Sequence, residues 1–456
     1  MRTKIVTILA LVFFITINAQ DKKWTLQECV NYALDNNISI KQQELSRELI
    51  EEDITIARGN FYPSLNASAS QNFNFGSFID IDGGRVSRDT RSNSFGLNTG
   101  VTLFNGFRNK NNLLQAKKSL EAAGFDLEEN KNGIMLYVVN SYLNVLLNKE
   151  SLIIAEDQIA ISVSQVEKAK DLVEAGAQPK ATLLEAEATL ATNEQQLTTA
   201  QNALDLSLLS LAQLLQLSHK GFNIQEVTLN INSASLIYND TDDIFNKAIS
   251  LLPEIKSAEL AVENSELSVQ IAKSSYYPTL SFGAGLGTSY QHSQGEKDLR
   301  PVIDPDTDLL TLVPNGFGTQ LDNNLGYNAG FTLNIPIFNR FQTKSGVSKA
   351  QINQKRTELQ LLDKQIKLRE TIEKAYADAK ASLNQFVSAE KSLKAQKESF
   401  KNAQESYNSG VMTSFDFDQV RNRLVNAQSS LVNAKYNFVF RTKLLEYYYG
   451  IPIVIE

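Results

Sequence analysis

The sequence predicts a mixed α and β membrane protein built by internal duplication, in which each chain supplies four β-strands to part of a transmembrane barrel that continues into long coiled-coil helices. Three observations predict it. First, Ala57–Leu65 (ARGNFYPSL) recurs as Ala272–Leu280 (AKSSYYPTL), and Leu103–Phe107 (LFNGF) recurs as Ile337–Phe341 (IFNRF). Second, beyond each Tyr-Pro the hydrophobic period changes from helical to two. Third, a seven-residue apolar spacing runs through the last helix of each half.

Residues 1–20 read as a signal peptide. Arg2 and Lys4 precede an apolar run from Ile5 to Ile17, and Asn18-Ala19-Gln20 offers a small residue for cleavage. The run is too short to span a bilayer. The first repeat is expected over 21–220. It opens with a helix from Leu26 to Ala57, which stops at Tyr62-Pro63 because proline disfavours helix at the residue before it. A strand pair, 64–79 and 93–104, encloses a polar loop from Asp80 to Ser92, and a long helix from Asn111 to Leu172 reaches a hairpin tip near 174–181. A linker over 221–240 leads to the second repeat, 241–450. There the same order holds: a helix from Ile244 to Lys273, strands 279–290 and 324–336, a helix from Lys344 to Tyr407, and a tip near 408–415. The loop from Gln291 to Asn323 is expected to be irregular, because Pro301, Pro305 and Pro314 interrupt it. A short C-terminal segment, 451–456, completes the chain.

The strands carry the membrane argument. Leu65, Ala67, Ala69 and Phe73 alternate with Ser64, Asn66, Ser68, Ser70 and Asn72, and the other three strands alternate in the same way. A soluble sandwich gives one apolar face too. Here, however, no second sheet is offered, and the polar face is serine, asparagine and glycine almost without charge, which suits a water-filled lumen. No stretch of eighteen apolar residues provides a transmembrane helix. Four strands cannot close a barrel, which needs about eight at the least, and an open edge in lipid is forbidden. Copies of the chain must complete the wall.

In the helices, Leu183, Leu190, Leu197, Leu204 and Leu211 are seven apart, as are Phe417, Leu424, Leu431, Phe438 and Leu445. Sustained heptads argue for coiled-coil packing. Small companions such as Ala186, Ala200 and Ser207 suit a curved wall of helices, and a self-contained four-helix bundle has a similar pattern. Gly410 permits the left-handed turn that ends the outgoing helix, and Thr413-Ser-Phe-Asp416 restarts the chain as a capping-box variant.

Composition narrows the function classes. The net charge is −7, and without Arg2 and Lys4 it becomes −9, with 42 basic residues against 51 acidic, so nucleic acid is not an expected partner. Cys29 is the single cysteine, which forbids an internal disulfide, and it reads as a buried helix residue. His219 and His292 share no metal-ligand spacing with it, and no P-loop, nucleophile elbow or dinucleotide fingerprint occurs, so neither catalysis, metal nor cofactor is expected. Two rivals to a conduit are a passive porin and a coiled-coil structural or binding protein of the periplasm. The porin gives helices this long no role.

The duplicated order of elements, the two YP-S/T-L junctions, LFNGF and IFNRF, and YNSGVMTSFDFDQV at the second tip resemble the TolC-type outer membrane efflux proteins over essentially the whole mature chain. The resemblance implies a homotrimer with a twelve-stranded barrel in outer membrane lipid and a twelve-helix tunnel in the periplasm. It also implies a collar from segments near 222–237 and 451–455. Such a protein is the exit duct of a tripartite efflux pump or type I secretion system. Its implied partners are a periplasmic adaptor and an inner-membrane transporter of RND or ABC type.

Carried onto this chain, the family's tip signature falls on Tyr407, Gly410 and Asp416. Its second aspartate position holds Gln419, Asp418 lies at an apolar position, and Met412 replaces an arginine. Asp416, Asp418 and Gln419 are thus the implied periplasmic gate, and Asp416 has two readings, an acidic ring or a helix cap. The implied adaptor-docking residues are Gly176, Ala177 and Gln178 at one tip and Tyr407, Gly410, Val411, Met412 and Ser414 at the other. A plain αα turn accounts for the same glycines.

Overall fold

The structure is a computed structural model and describes residues 22–79, 82–87, 89–227, 240–306 and 308–451. The expected signal segment, most of the 221–240 linker and nearly all of the C-terminal segment lie outside the described residues. Each half of the chain runs through one order of elements. The first half has β1 (Lys23–Trp24), α1 (Leu26–Asn36), α2 (Ile38–Gly59), β2 (Ser64–Asn74), β3 (Ser77–Ile79), β4 (Arg85–Ser87), β5 (Thr90–Asn105), α3 (Arg108–Glu174), α4 (Lys180–Leu214) and β6 (Asn223–Ile224). The second has α5 (Thr241–Leu251), α6 (Pro253–Lys273), β7 (Thr279–Ser293), β8 (Leu299–Ile303), β9 (Leu310–Pro314), α7 (Phe317–Asn323), β10 (Gly326–Asn334), α8 (Gln342–Asn408) and α9 (Ser414–Tyr449). These residues fall into two compact units. One holds the residues up to Arg47, Ala123–Ala258 and those from Leu361 on; the other holds Glu48–Ala122 and Glu259–Gln360.

The second unit contains a four-stranded antiparallel sheet in the order β10-β7-β5-β2. β5 and β7, one from each half, pair at its centre from Thr90↔Ser293 to Asn105↔Thr279. Cross-strand partners share a face. Leu97 therefore stands with Ala67 and Leu286, and Asn98 with Asn66 and Gly285 on the opposite side. On that polar side Gly285 leaves room for two amides, because a Cβ there would lie 2.7 Å from Asn98 Oδ1 and 2.8 Å from Asn328 Oδ1 and both side chains would have to shift. The apolar side stays open, with Leu65, Phe331 and Leu333 at 68, 70 and 59% exposure. β2 and β10 each keep one unpaired edge among the described residues.

The turns that return from strand to helix repeat the duplication residue by residue. Gly106 and Phe107 are both left-handed (φ 66° and 66°), as are Arg340 and Phe341 (φ 53° and 63°). Asn105 Nδ2 then donates to Asn109 Oδ1 at 2.8 Å and its Oδ1 accepts from Asn109 N–H at 3.3 Å, while Asn339 donates to the Thr343 hydroxyl and accepts from Thr343 N–H at 3.5 Å, so an asparagine answers a free N–H in the first turn of each long helix. Gly106 admits no side chain, since a Cβ would meet Ser274 O at 2.6 Å.

In the first unit two hydrophobic cores form, each around a short helix. Leu26, Cys29, Val30 and Ala33 of α1 pack against Val138, Tyr142 and Leu146 of α3, Leu211 of α4 and Tyr436 of α9. Ile244, Ala248, Leu252 and Ile255 pack against Leu368, Ile372 and Ala375 of α8 and Leu445 of α9. Cys29 is fully buried, which pushes its thiol up to about 12. α3 and α8 are each 67 residues, about 100 Å at the α-helical rise. α3 passes through Gly124 and Gly133 without a break.

Three expectations change. The strand expected over 64–79 stops at Asn74: Gly76 (φ 133°) breaks it, and Ser77–Ile79 pairs with β4 in a separate two-stranded sheet. The opening helix of each half, expected to be continuous, is divided at Asn37 (ψ 130°) and at Leu252 (ψ 131°). Asn37 turns its side chain to the Ser39 N–H at 2.9 Å, and Pro253 excludes helix at the residue before it. The loop expected to be irregular between Gln291 and Asn323 instead holds the β8–β9 hairpin and α7. Prolines at Pro301 and Pro314 are tolerated because the hairpin has only two strands and both are edges.

Candidate functional site

The candidate site is the pair of hairpin tips in the first unit. At the first, α3 ends and Gly176 (φ 71°) turns the chain, with Ala177 N–H and Gln178 N–H bonded to Leu172 O at 2.8 and 3.2 Å. Gly176, Ala177 and Gln178 are exposed. α4 then starts behind Pro179 with no side-chain cap.

The second tip has the same backbone plan and richer side chains. Gly410 (φ 79°) ends α8, and Val411 N–H and Met412 N–H bond Ser406 O at 2.9 and 3.2 Å. Thr413 caps α9: its Oγ1 accepts from Asp416 N–H at 3.2 Å and donates to Asp416 Oδ2 at 2.7 Å. Asp416 and Gln419 are exposed, Met412 and Ser414 half-buried, and Val411 is 83% exposed. Tyr407 stacks on the buried Phe417 at 4.7 Å between centroids, and Phe400 packs on that ring at 5.5 Å. Burial, and secondarily Asp418, raises the Tyr407 hydroxyl above its ordinary value.

Asp418 points elsewhere. Its Oδ1 lies 3.2 Å from Arg421 Nη2 and accepts from Gln165 Nε2 at 3.1 Å. Arg421 is 2% exposed, donates to Gln165 Oε1 at 2.6 Å and to Ser162 Oγ at 3.4 Å, and its Nε is buried without a protein partner among the described residues. Ser162 in turn accepts from Asn193 Nδ2 at 2.6 Å. One polar cluster thus joins α3, α4 and α9, so it ties the first hairpin to the second. Nearer the turn, Lys168 donates to Tyr407 O and Asn408 Oδ1, both at 3.3 Å, with its Nζ 4.1 Å from the Tyr407 ring centroid.

The three residues of the implied gate therefore sit in different surroundings. Asp416 is an exposed capping partner, Asp418 is bound to a buried guanidinium, and Gln419 is exposed. Sequence reasoning missed Arg421, Gln165 and Lys168. A signal was present: Arg421 lies four residues after Phe417 and three before Leu424, on the apolar seam of α9, where a charge needs a partner. The tips present an exposed carboxylate, backbone turns and apolar side chains; no cluster among the described residues is suited to hold a metal ion.

Comparison with known proteins places this architecture. The family model described as outer membrane efflux protein matches residues 29–216 and 244–442, one segment for each half. The chain is 24% identical to the outer membrane protein TolC of Escherichia coli over 184 residues, 40% of this chain and 34% of TolC, so that match spans about a third of TolC. It is 20% identical to the outer membrane efflux protein BepC of Brucella suis over 418 residues, 91% of this chain and 83% of BepC. Among solved structures it resembles CusC, a transmembrane channel, with a TM-score of 0.76 at 17% identity, covering 96% of each chain. With both halves matched and the same architecture throughout, the chain belongs to the outer membrane efflux protein family.

Proposed function

We propose that this chain is the outer membrane exit duct of a tripartite efflux pump or type I secretion system, acting as a homotrimer. The observation that carries it is the open four-stranded sheet, apolar on one side, uncharged and polar on the other, with an unpaired edge on β2 and on β10. The strands alternate in direction from β2 to β10, so β2 of one copy meets β10 of the next as an antiparallel pair and the meander closes without a break. Three copies give twelve strands, and the six long hairpins continue the conduit into the periplasm. The lumen of serine, asparagine and glycine discriminates little among solutes.

The tips are the ends that a periplasmic adaptor and, through it, an inner-membrane transporter would engage. Exposed Val411, with Gly176, Ala177, Gln178, Gly410, Met412 and Ser414 around the two turns, supports docking there. Asp416 serves both as cap and as the acidic ring at the entrance, because capping leaves part of its carboxylate in solvent. Reconstitution in planar bilayers tests this. Low, gated conductance is expected for the wild type, and Asp416→Ala should raise it and weaken cation preference and block by divalent ions. Large, constant conductance in the wild type would favour a passive porin; no change in Asp416→Ala would remove the ring.

A further inference from the structure

The external loop of the second half carries an apolar surface that the conduit does not explain. In the β8–β9 hairpin Leu299 faces Pro314, Pro301 faces Leu312 and Ile303 faces Leu310. Partners and alternate residues share a face, so one side of the hairpin is apolar throughout. Ile303, Leu310 and Leu312 are 61, 72 and 65% exposed. A loop meant for water would reverse this pattern, and a patch of this kind marks a contact surface.

The roots of the hairpin indicate what covers it. Asp298, just before β8, accepts from Tyr290 OH at 2.9 Å and pairs with His292 Nδ1 at 2.7 Å. After β9, Phe317 packs on Tyr290 and Phe95 at 5.0 and 6.4 Å between centroids. Tyr290 and His292 stand opposite Asn93 and Arg91, in the row that continues through Phe95 and Leu97. Both roots are therefore fastened to the apolar side of the sheet and not to its polar side. α7 covers the β7 edge beyond the end of β10, where the Gln320 amide accepts from Gln291 N–H at 2.9 Å and donates to Gln291 O at 3.0 Å, as a neighbouring strand would. The hairpin thus leaves the sheet from its apolar side at both roots, past the end of β10.

We propose that the β8–β9 hairpin is a membrane-contacting paddle whose Leu299, Ile303, Leu310 and Leu312 seat among the acyl chains of the external leaflet. The inference rests on the membrane placement of the sheet, and the test separates the two. In a Trp24→Phe background, Leu310→Trp and Leu312→Trp are compared with Phe331→Trp on the apolar face of β10 and Val411→Trp at the periplasmic tip. The full-length proteins are reconstituted in phosphatidylcholine vesicles brominated along the acyl chains. Quenching of Leu310→Trp and Leu312→Trp comparable to that of Phe331→Trp, with little quenching by acrylamide, is expected. Acrylamide quenching like that of Val411→Trp would overturn the paddle, as would protection from both quenchers, which would show the hairpin buried against another copy. If Phe331→Trp also escapes the brominated chains, the membrane placement itself fails.

Discussion

Single residues set where each helix begins and how it answers to acid. Thr25 caps α1, and its backbone N–H lies 2.9 Å from the Glu28 carboxylate. That hydrogen bond, aided by Lys22 nearby, holds Glu28 below the usual carboxylate value of 4.5. The folded state binds this proton less readily than the unfolded chain, so the stabilisation is complete above the ordinary value and is lost as pH falls through the lowered one. Unfolding midpoints measured from about pH 6 to about pH 3 should therefore drop less in Glu28→Gln than in the wild type, starting from a lower plateau. At the second tip, Thr413→Ala should cost about 1 kcal/mol by removing the α9 cap. Thermal unfolding in detergent measures it; a cost near zero would mean Asp416 alone suffices as the cap.

Elements depend on what lies across the seam between them. Phe417 is buried between Tyr407 and Phe400, and Phe417→Ala should destabilise the tip by about 3–5 kcal/mol, read as hydrogen-exchange protection lost in α8 and α9 near the turn. Asp418→Asn leaves a buried guanidinium without its counter-charge. Breaking a fully buried pair costs about 3–5 kcal/mol, and with Asp418 29% exposed the expected loss is about 1–3 kcal/mol. Asp418→Leu together with Arg421→Met should recover most of it, and a double-mutant cycle measures the coupling. The elements also show what could be read in the chain beforehand. Tyr-Pro junctions, period-two strands and the heptads of α4 and α9 are local signals, and they placed the sheet and the hairpins. The Asn37 break depends on one side chain turning back to the Ser39 N–H, and the β8–β9 hairpin hides apolar alternation behind prolines. The Arg421 cluster joins residues more than 250 positions apart, and no local period reports such a meeting.

At the scale of the molecule, one chain of the proposed duct supplies a strip of wall. The strip has a wet side and a greasy side in the strands, and it has two edges that water can satisfy but lipid cannot. Its helices have two cores of their own, yet much of the apolar surface of the sheet stays exposed among the described residues. Family membership and the duplicated architecture agree with a duct completed by copies. The most direct measurement is disulfide closure between the free edges: Ala67→Cys on β2 combined in turn with Tyr327→Cys, Ala329→Cys and Phe331→Cys on β10, oxidised in isolated outer membranes. One of these registers should yield a covalent ladder that ends at three chains. Cross-links confined within one chain, or a water-soluble monomer with no cross-link at all, would contradict the account.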